Sequence, residues 1–284
     1  MKIFTKLAAN PTRGNLHTLR KAKLAVSAER KPIRLGAVSY LNTRPLVHGL
    51  ESRRPGIDLM FDLPSRLADR LAAGDLDVAL IPSVEYFQNP AYRIVSDACI
   101  GCRGPVLSVK LLSRVPLAQI GSLALDEGSR TSVALTRILL KHKFGLSPRL
   151  EALPIGSGVE ATSADAILLI GDRAIHPPTE GFIHEWDLGD QWCRWSELSF
   201  VFAMWVARPG AVVDGLAEAL EASRDSGVAN LADIARREAP RVGLKEDECL
   251  SYLQDNLYFY LGPRERQGLA QFHRYAAQFD LVPA

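Results

Sequence analysis

The chain has 284 residues, 47% hydrophobic and 23% charged, with a formal net charge of +2. That profile excludes a disordered or fibrous chain, and the length favours two lobes over a single core. No run of about 18 apolar residues occurs, which excludes a membrane-spanning helix. The positive charge is uneven: Lys and Arg crowd the first 32 residues, where Glu29 is the sole acid, and the remainder is slightly acidic. Nucleic acid is therefore not expected as a ligand of the globular part.

Residues 1–32 read as a basic, disordered extension. They lack the continuous apolar stretch and small-residue cleavage site of an export signal, and the composition suits a transit peptide, an upstream start or a basic tail equally. Four cysteines in so long a chain fit a reducing cytoplasm. Cys99 and Cys102 have the spacing of half a zinc site or a redox pair, but no second Cys or His pair follows at ligand spacing, so they are expected to be structural thiols.

The apolar run Ile33 to Val38 predicts a parallel strand, and Asn42 or Thr43 is placed to cap a helix whose first turn holds Pro45. Such a turn offers backbone N–H groups at a strand's carboxyl end, where open α/β sheets hold ligands. Ile57 to Phe61 reads as a strand, Ser65 to Ala73 as a helix, and Val78 to Ile81 as a buried strand followed by Pro82-Ser83, a second strand end with a capping hydroxyl. Arg93 to Val95 and Val106 to Leu112 read as strands separated by Gly101, Gly104 and Pro105.

A second set begins with the strand Leu123 to Leu125, a hydroxyl-rich loop through Ser132, and an amphipathic helix from about Thr131 to Phe144. Its entry favours an anion, though capping alone explains the hydroxyls. Leu150 to Leu153 and Ala166 to Ile170 continue as strands, the latter ending in Gly171-Asp172-Arg173. His184 to Leu188, Gly189 to Trp195 and Phe200 to Val206 read strand, helix, strand, the last apolar enough to be central. Trp186, Trp192, Trp195 and Trp205 are expected in packing. From Arg208 onward the pattern is helical, with no further strand, and such a tail must return to pack on the first lobe. The expectation is an α/β chain with lobe 1 from 33–113 plus 205–284, lobe 2 from 114–204, and a ligand cleft between them.

Six segments together carry a resemblance: Ser39-Tyr40-Leu41-Asn42-Thr43-Arg44-Pro45-Leu46, Ile81 to Tyr86, Gly104 to Val109, Ser129 to Leu135, Leu169 to Ala174 and Leu198 to Ala203. In order, from Ile33 to about Phe279, the chain resembles the chorismate dehydratase family of the futalosine route to menaquinone. The resemblance implies a cytoplasmic enzyme with a two-lobed, type II periplasmic-binding-protein-like fold, using no metal and no organic cofactor. It implies loss of water from chorismate, giving 3-[(1-carboxyvinyl)oxy]benzoate.

On that basis Asn42 is expected to be catalytic. Substrate contacts are expected from Ser39, Ser83, Gly104, Ser108, Ser129, Arg130, Thr131, Ser132, Gly171 and Asp172. Arg130 either pairs with a carboxylate or braces its loop, and Asp172 either binds or caps. The motifs contain no His, and Glu85 is the one nearby carboxylate with a base-like position. It is read as structural, with the substrate's enolpyruvyl carboxylate taking the ring hydrogen. A solute-binding protein for a small carboxylate and the sibling 1,4-dihydroxy-6-naphthoate synthase share the presumed architecture and stand as alternatives.

Overall fold

The computed structural model describes residues 31–283. The basic extension, apart from its last two residues, lies outside the described residues.

The apolar runs form two sheets. The first contains β1 (Ile33–Val38), β2 (Ile57–Asp62), β3 (Val78–Pro82), β4 (Arg93–Cys102), β10 (Phe200–Ala207) and β11 (Tyr258–Tyr260), in the order β11-β4-β10-β3-β1-β2. The second contains β5 (Val109–Ser113), β6 (Ser122–Asp126), β7 (Arg149–Leu153), β8 (Ala166–Ile170) and β9 (His184–Asp187), in the order β7-β6-β8-β5-β9. The two orders are the same pattern written twice. A parallel trio, β2-β1-β3 or β7-β6-β8, is followed by one antiparallel strand, β10 or β5, and then by the next strand. The chain crosses between sheets twice, after β4 and before β10. This is the two-lobed, type II periplasmic-binding-protein-like arrangement.

The helices that matter here are α1 (Leu50–Arg53), α2 (Pro64–Ala73), α3 (Ser83–Tyr86), α4 (Arg130–Phe144), α5 (Leu188–Ser196), α6 (Leu216–Ala229), α7 (Leu231–Val242), α8 (Glu246–Ser251) and α9 (Pro263–Gln278). Each begins or ends for a local reason. Pro64 at the first turn and left-handed Gly74 bound α2, while Ser129 accepts a hydrogen bond from the Ser132 N–H and Gly145 closes α4 in the left-handed region. All eight residues of β10 are buried, as are all five of β3 and of β8, which is how strands covered on both faces read.

Several sequence expectations change. The residues after β1 form a 3-10 turn, Leu41–Val47, rather than an α-helix capped by Asn42 or Thr43, and Tyr40 precedes it. Residues 109–113 belong to the second sheet and β10 lies wholly in the first, so a lobe bound at 113/114 falls after β5 instead of before it, and one at 204/205 falls within β10. Both are the antiparallel insertions, whose partners lie far away in sequence: β5 pairs with β8 and β9, and β10 with β3 and β4. The tail is not purely helical. Tyr258–Tyr260 adds a three-residue edge strand to β4, too short to show a period of its own.

The first sheet's β4 is longer than expected and contains both cysteines of the pair. Three residues apart on a strand, Cys99 and Cys102 face opposite sides, so they are not a paired motif. Cys102 instead meets Cys193 of α5, and with burial this neighbour holds its thiol pKa high. Tryptophans pack as expected: Trp192 is fully buried, edge-on to Phe200 and Phe272, and Trp205 is fully buried within β10.

Candidate functional site

Parallel strands present their carboxyl ends to one another across the cleft. Tyr40 and Asn42 follow β1, Pro82 ends β3, Ser129 follows β6, and Ile170-Gly171 ends β8. These residues, with Val38, Pro64, Ile100, Val106, Ser108, Val109, Ser132, Phe202 and Ala203, line a pocket between the lobes. The wall holds no Asp, Glu, His, Lys or Arg. Its polar groups are the amide of Asn42, the hydroxyls of Ser108, Ser129 and Ser132, and the phenol of Tyr40.

Each polar group is held by its surroundings. Asn42, 9% exposed, sits on the 3-10 turn that α6 supports, and Gly227 of α6 permits the approach: a Cβ there would stand 2.0 Å from the Pro45 carbonyl oxygen. The Thr43 hydroxyl donates to Asn42 Oδ1 at 3.4 Å, which leaves the Asn42 NH₂ as the free donor. Tyr252 is fully buried, which holds its phenol pKa well above the ordinary value. Tyr252 in turn donates to Ser108 Oγ at 2.9 Å. Ser129 donates to Ser132 Oγ at 2.7 Å and opens α4, a fifteen-residue helix whose positive end faces an anion favourably. Tyr40 lies across the cleft on Gly171, where a Cβ would stand 2.6 Å from its ring and where φ is +73°. Glycine is required there on both counts.

Phe202 reaches the wall through a bulge. Val201 pairs with Gly101 and Ala203 with Ile100, so Phe202 is the extra residue of β10, and Phe202 and Ala203 both line the pocket.

Of the residues expected at the site, Asn42, Ser108, Ser129, Ser132 and Gly171 line this pocket. Six lie elsewhere, and five of those make identifiable bonds. Ser83 donates to the Val201 carbonyl at 2.7 Å and stands 3.4 Å from Thr131 Oγ1, which accepts from the Val84 N–H at 3.2 Å. Arg130 pairs with Asp69 at 2.7 Å and with Glu85 at 3.3 Å. Asp172 accepts from the Leu41 N–H at 3.1 Å. Ser39 bonds through its backbone to Asp62 and to the Arg44 guanidinium. Gly104 sits in the first crossover with open space around it.

Ser83, Thr131, Arg130 and Asp172 thus stitch one lobe to the other, and the cleft is closed. Burial raises the Asp172 carboxyl above its usual range, against the Leu41 N–H and Arg44, which pull it down. Glu85 is likewise raised, chiefly by burial and partly offset by Arg130, and it lies outside the pocket wall.

Residues not anticipated as site members are Tyr40, Phe202 and Tyr252. Tyr40 lay inside a motif already singled out, between Ser39 and Asn42. Phe202 depends on a bulge and Tyr252 on a contact 144 residues distant from Ser108, and neither leaves a local signal. Among the described residues no group of three or more His, Cys, Asp and Glu side chains is placed to hold a metal ion, and no helix is long and apolar enough to cross a membrane.

Residues 33–278 match the family model described as menaquinone biosynthesis. A curated chorismate dehydratase of Thermus thermophilus is 33% identical over 265 residues, covering 85% of this chain and 94% of that protein. Among solved structures, a protein of Archaeoglobus fulgidus superposes with a TM-score of 0.74 at 16% identity, over 89% of this chain and all of that one. The alkanesulfonate-binding protein of Xanthomonas axonopodis pv. citri, solved with MOPS, superposes with a TM-score of 0.61 at 14% identity, over 90% and 96% of the two chains.

Proposed function

Because the chain belongs to the menaquinone biosynthesis family, we propose that it is a chorismate dehydratase, a carbon–oxygen lyase working in the cytoplasm. The observation that carries the reading is the pocket wall: neutral donors and apolar surface, with no side chain able to act as a conventional base. Water loss from chorismate asks for little more. The C3–H bond and the C4–O bond break, the C–H electrons form the C3–C4 double bond, and the ring becomes aromatic.

In this reading the enolpyruvyl carboxylate of the substrate takes the C3 proton and passes it to the departing hydroxide, giving water. Asn42 presents its NH₂ to the 4-hydroxyl and assists its departure. The hydroxyls of Ser129 and Ser132, with the amino-terminal end of α4, hold the remaining anionic groups. Phe202, Ile100, Val106 and Val109 cover the ring and exclude water, which strengthens each of these hydrogen bonds. Closure of the lobes through Asp172, Arg130 and the Ser83–Thr131 pair fixes the geometry, and orientation supplies most of the remaining help.

Purified protein incubated with chorismate should yield 3-[(1-carboxyvinyl)oxy]benzoate, seen by mass and by the appearance of an aromatic absorbance. Binding of chorismate without any aromatic product would leave a solute-binding protein as the better reading.

A further inference from the structure

Ser108 is delivered to the pocket by an unusual piece of backbone. Leu107 has φ of +59°, a conformation that costs a branched residue energy, and the Ser108 N–H donates to the Val106 carbonyl at 2.7 Å to close a three-residue turn. Two elements hold that turn. From the second lobe, the Asp187 carboxylate accepts the Val106 N–H at 3.0 Å and the Leu107 N–H at 2.6 Å.

The other grip comes from the chain's far end. Tyr252–Asn256 forms a π-helical segment continuous with α8, a rare geometry that re-aims side chains and is concentrated at functional sites. Asn256 Nδ2 donates to the Pro105 carbonyl at 3.0 Å, and Tyr252, 1% exposed, donates its hydroxyl to Ser108 Oγ at 2.9 Å. The direction of that bond matters. A serine hydroxyl has one hydrogen, and accepting from Tyr252 leaves it free. Among the described residues the other acceptor of the Ser108 hydroxyl is the Val106 carbonyl, at a long 3.4 Å. Ser108 lines the pocket, so its hydrogen is available to whatever lies there.

We propose that Tyr252 is a positioning residue for the dehydration. By donating to Ser108 from the π-helical segment, it fixes Ser108 as a hydrogen-bond donor to the departing 4-hydroxyl of the bound substrate. No proton leaves either residue; the bond from Ser108 strengthens as negative charge grows on the departing oxygen, so the contribution appears in the transition state. This rests on the chorismate dehydratase reading.

The test is a double-mutant cycle on chorismate turnover with wild-type protein, Tyr252→Phe, Ser108→Ala and the pair. Tyr252→Phe keeps the buried ring, and its kcat should fall about 10- to 100-fold while KM stays within about threefold. In the Ser108→Ala background the same change should cost nothing further. A kcat for Tyr252→Phe close to wild type overturns the proposal, as do losses that multiply in the pair, because a purely structural tyrosine would act regardless of Ser108. If Tyr252→Phe does not fold, Asn256→Ala loosens the same turn from a half-exposed position. Its kcat should drop about threefold or more at unchanged KM, and no drop would overturn the proposal. Wild-type protein that leaves chorismate intact removes the underlying reading, whereas active wild type with an unaffected Tyr252→Phe removes the inference about Tyr252 alone.

Discussion

The inner wall of the cleft and the seam around it are built from opposite materials. Within the pocket the polar groups are amide and hydroxyl, whereas the seam just outside contains Arg130 between Asp69 and Glu85, and Asp172 on the Leu41 N–H. The charges that sequence reasoning offers to an anionic ligand are already committed to joining the lobes. In the proposed reading, a dianion held by neutral donors leaves the leaving group and the ring as the places where charge changes, with no cation in the pocket wall to trap product. Charge here joins the lobes, and the proposed chemistry falls to the uncharged interior.

That division is open to challenge by substitution. The largest effect belongs to the interior. Asn42→Ala should lower kcat by about 10²- to 10³-fold, the usual loss for one preorganised donor, with the melting temperature little changed because the side chain makes a single weak bond, to Thr43. Steady-state kinetics beside a thermal melt checks this, and turnover near wild type would remove Asn42 from the mechanism.

A seam residue should behave differently. Arg130→Gln leaves Asp69 and Glu85 without their cation and should raise KM about three- to tenfold by weakening closure, with kcat altered less. Added salt should raise the wild-type KM in the same direction, because Arg130 is partly exposed. A kcat collapse matching that of Asn42→Ala would show that Arg130 touches the reacting ligand after all.

The smallest effect lies away from the cleft altogether. Asp77 accepts from the Arg34 N–H and side chain and from Arg208, tying β1 to the end of β10, and these partners hold its carboxyl well below the usual 3.8. A depressed folded-state pKa stabilises the protein above pH 3.8, and that contribution drains away as pH falls through the lower folded value. Asp77→Asn should therefore be less stable by about 1 kcal/mol at pH 7, with the gap closing on acidification below pH 3.8 and turnover unaffected. Chemical denaturation at several pH values measures it, and a gap that persists undiminished into strong acid would contradict the assignment.

How far the sequence reached follows the same physical division. Whatever is local was readable: the buried runs of β1, β3 and β8, the hydroxyl-rich entry of α4, and the strand ends that carry Asn42, Ser129 and Gly171. What depends on distant pairing was not. The antiparallel insertions β5 and β10 declare their apolar character but not their sheet, so one expected lobe bound falls after β5 and the other within β10. Ser83, Thr131 and Arg130 have the chemistry of ligand contacts, and only the position of Val201, Asp69 and Glu85 shows them engaged elsewhere. Tyr252 sits in a helical pattern with nothing to mark it, and its value lies in the hydroxyl of Ser108 that it meets after the tail folds back.

The claim most exposed to test is that no protein carboxylate serves as the base. The measurement is kcat for chorismate against pH, for wild type and for Glu85→Gln; the Glu85 carboxyl is raised by burial and paired to Arg130 outside the wall. The account predicts flat profiles that superimpose from about pH 6 to pH 9, since the enolpyruvyl carboxylate stays ionised throughout that range. A wild-type rate that falls as Glu85 protonates, with that dependence abolished and the rate suppressed in Glu85→Gln, would contradict it and restore Glu85 as the base.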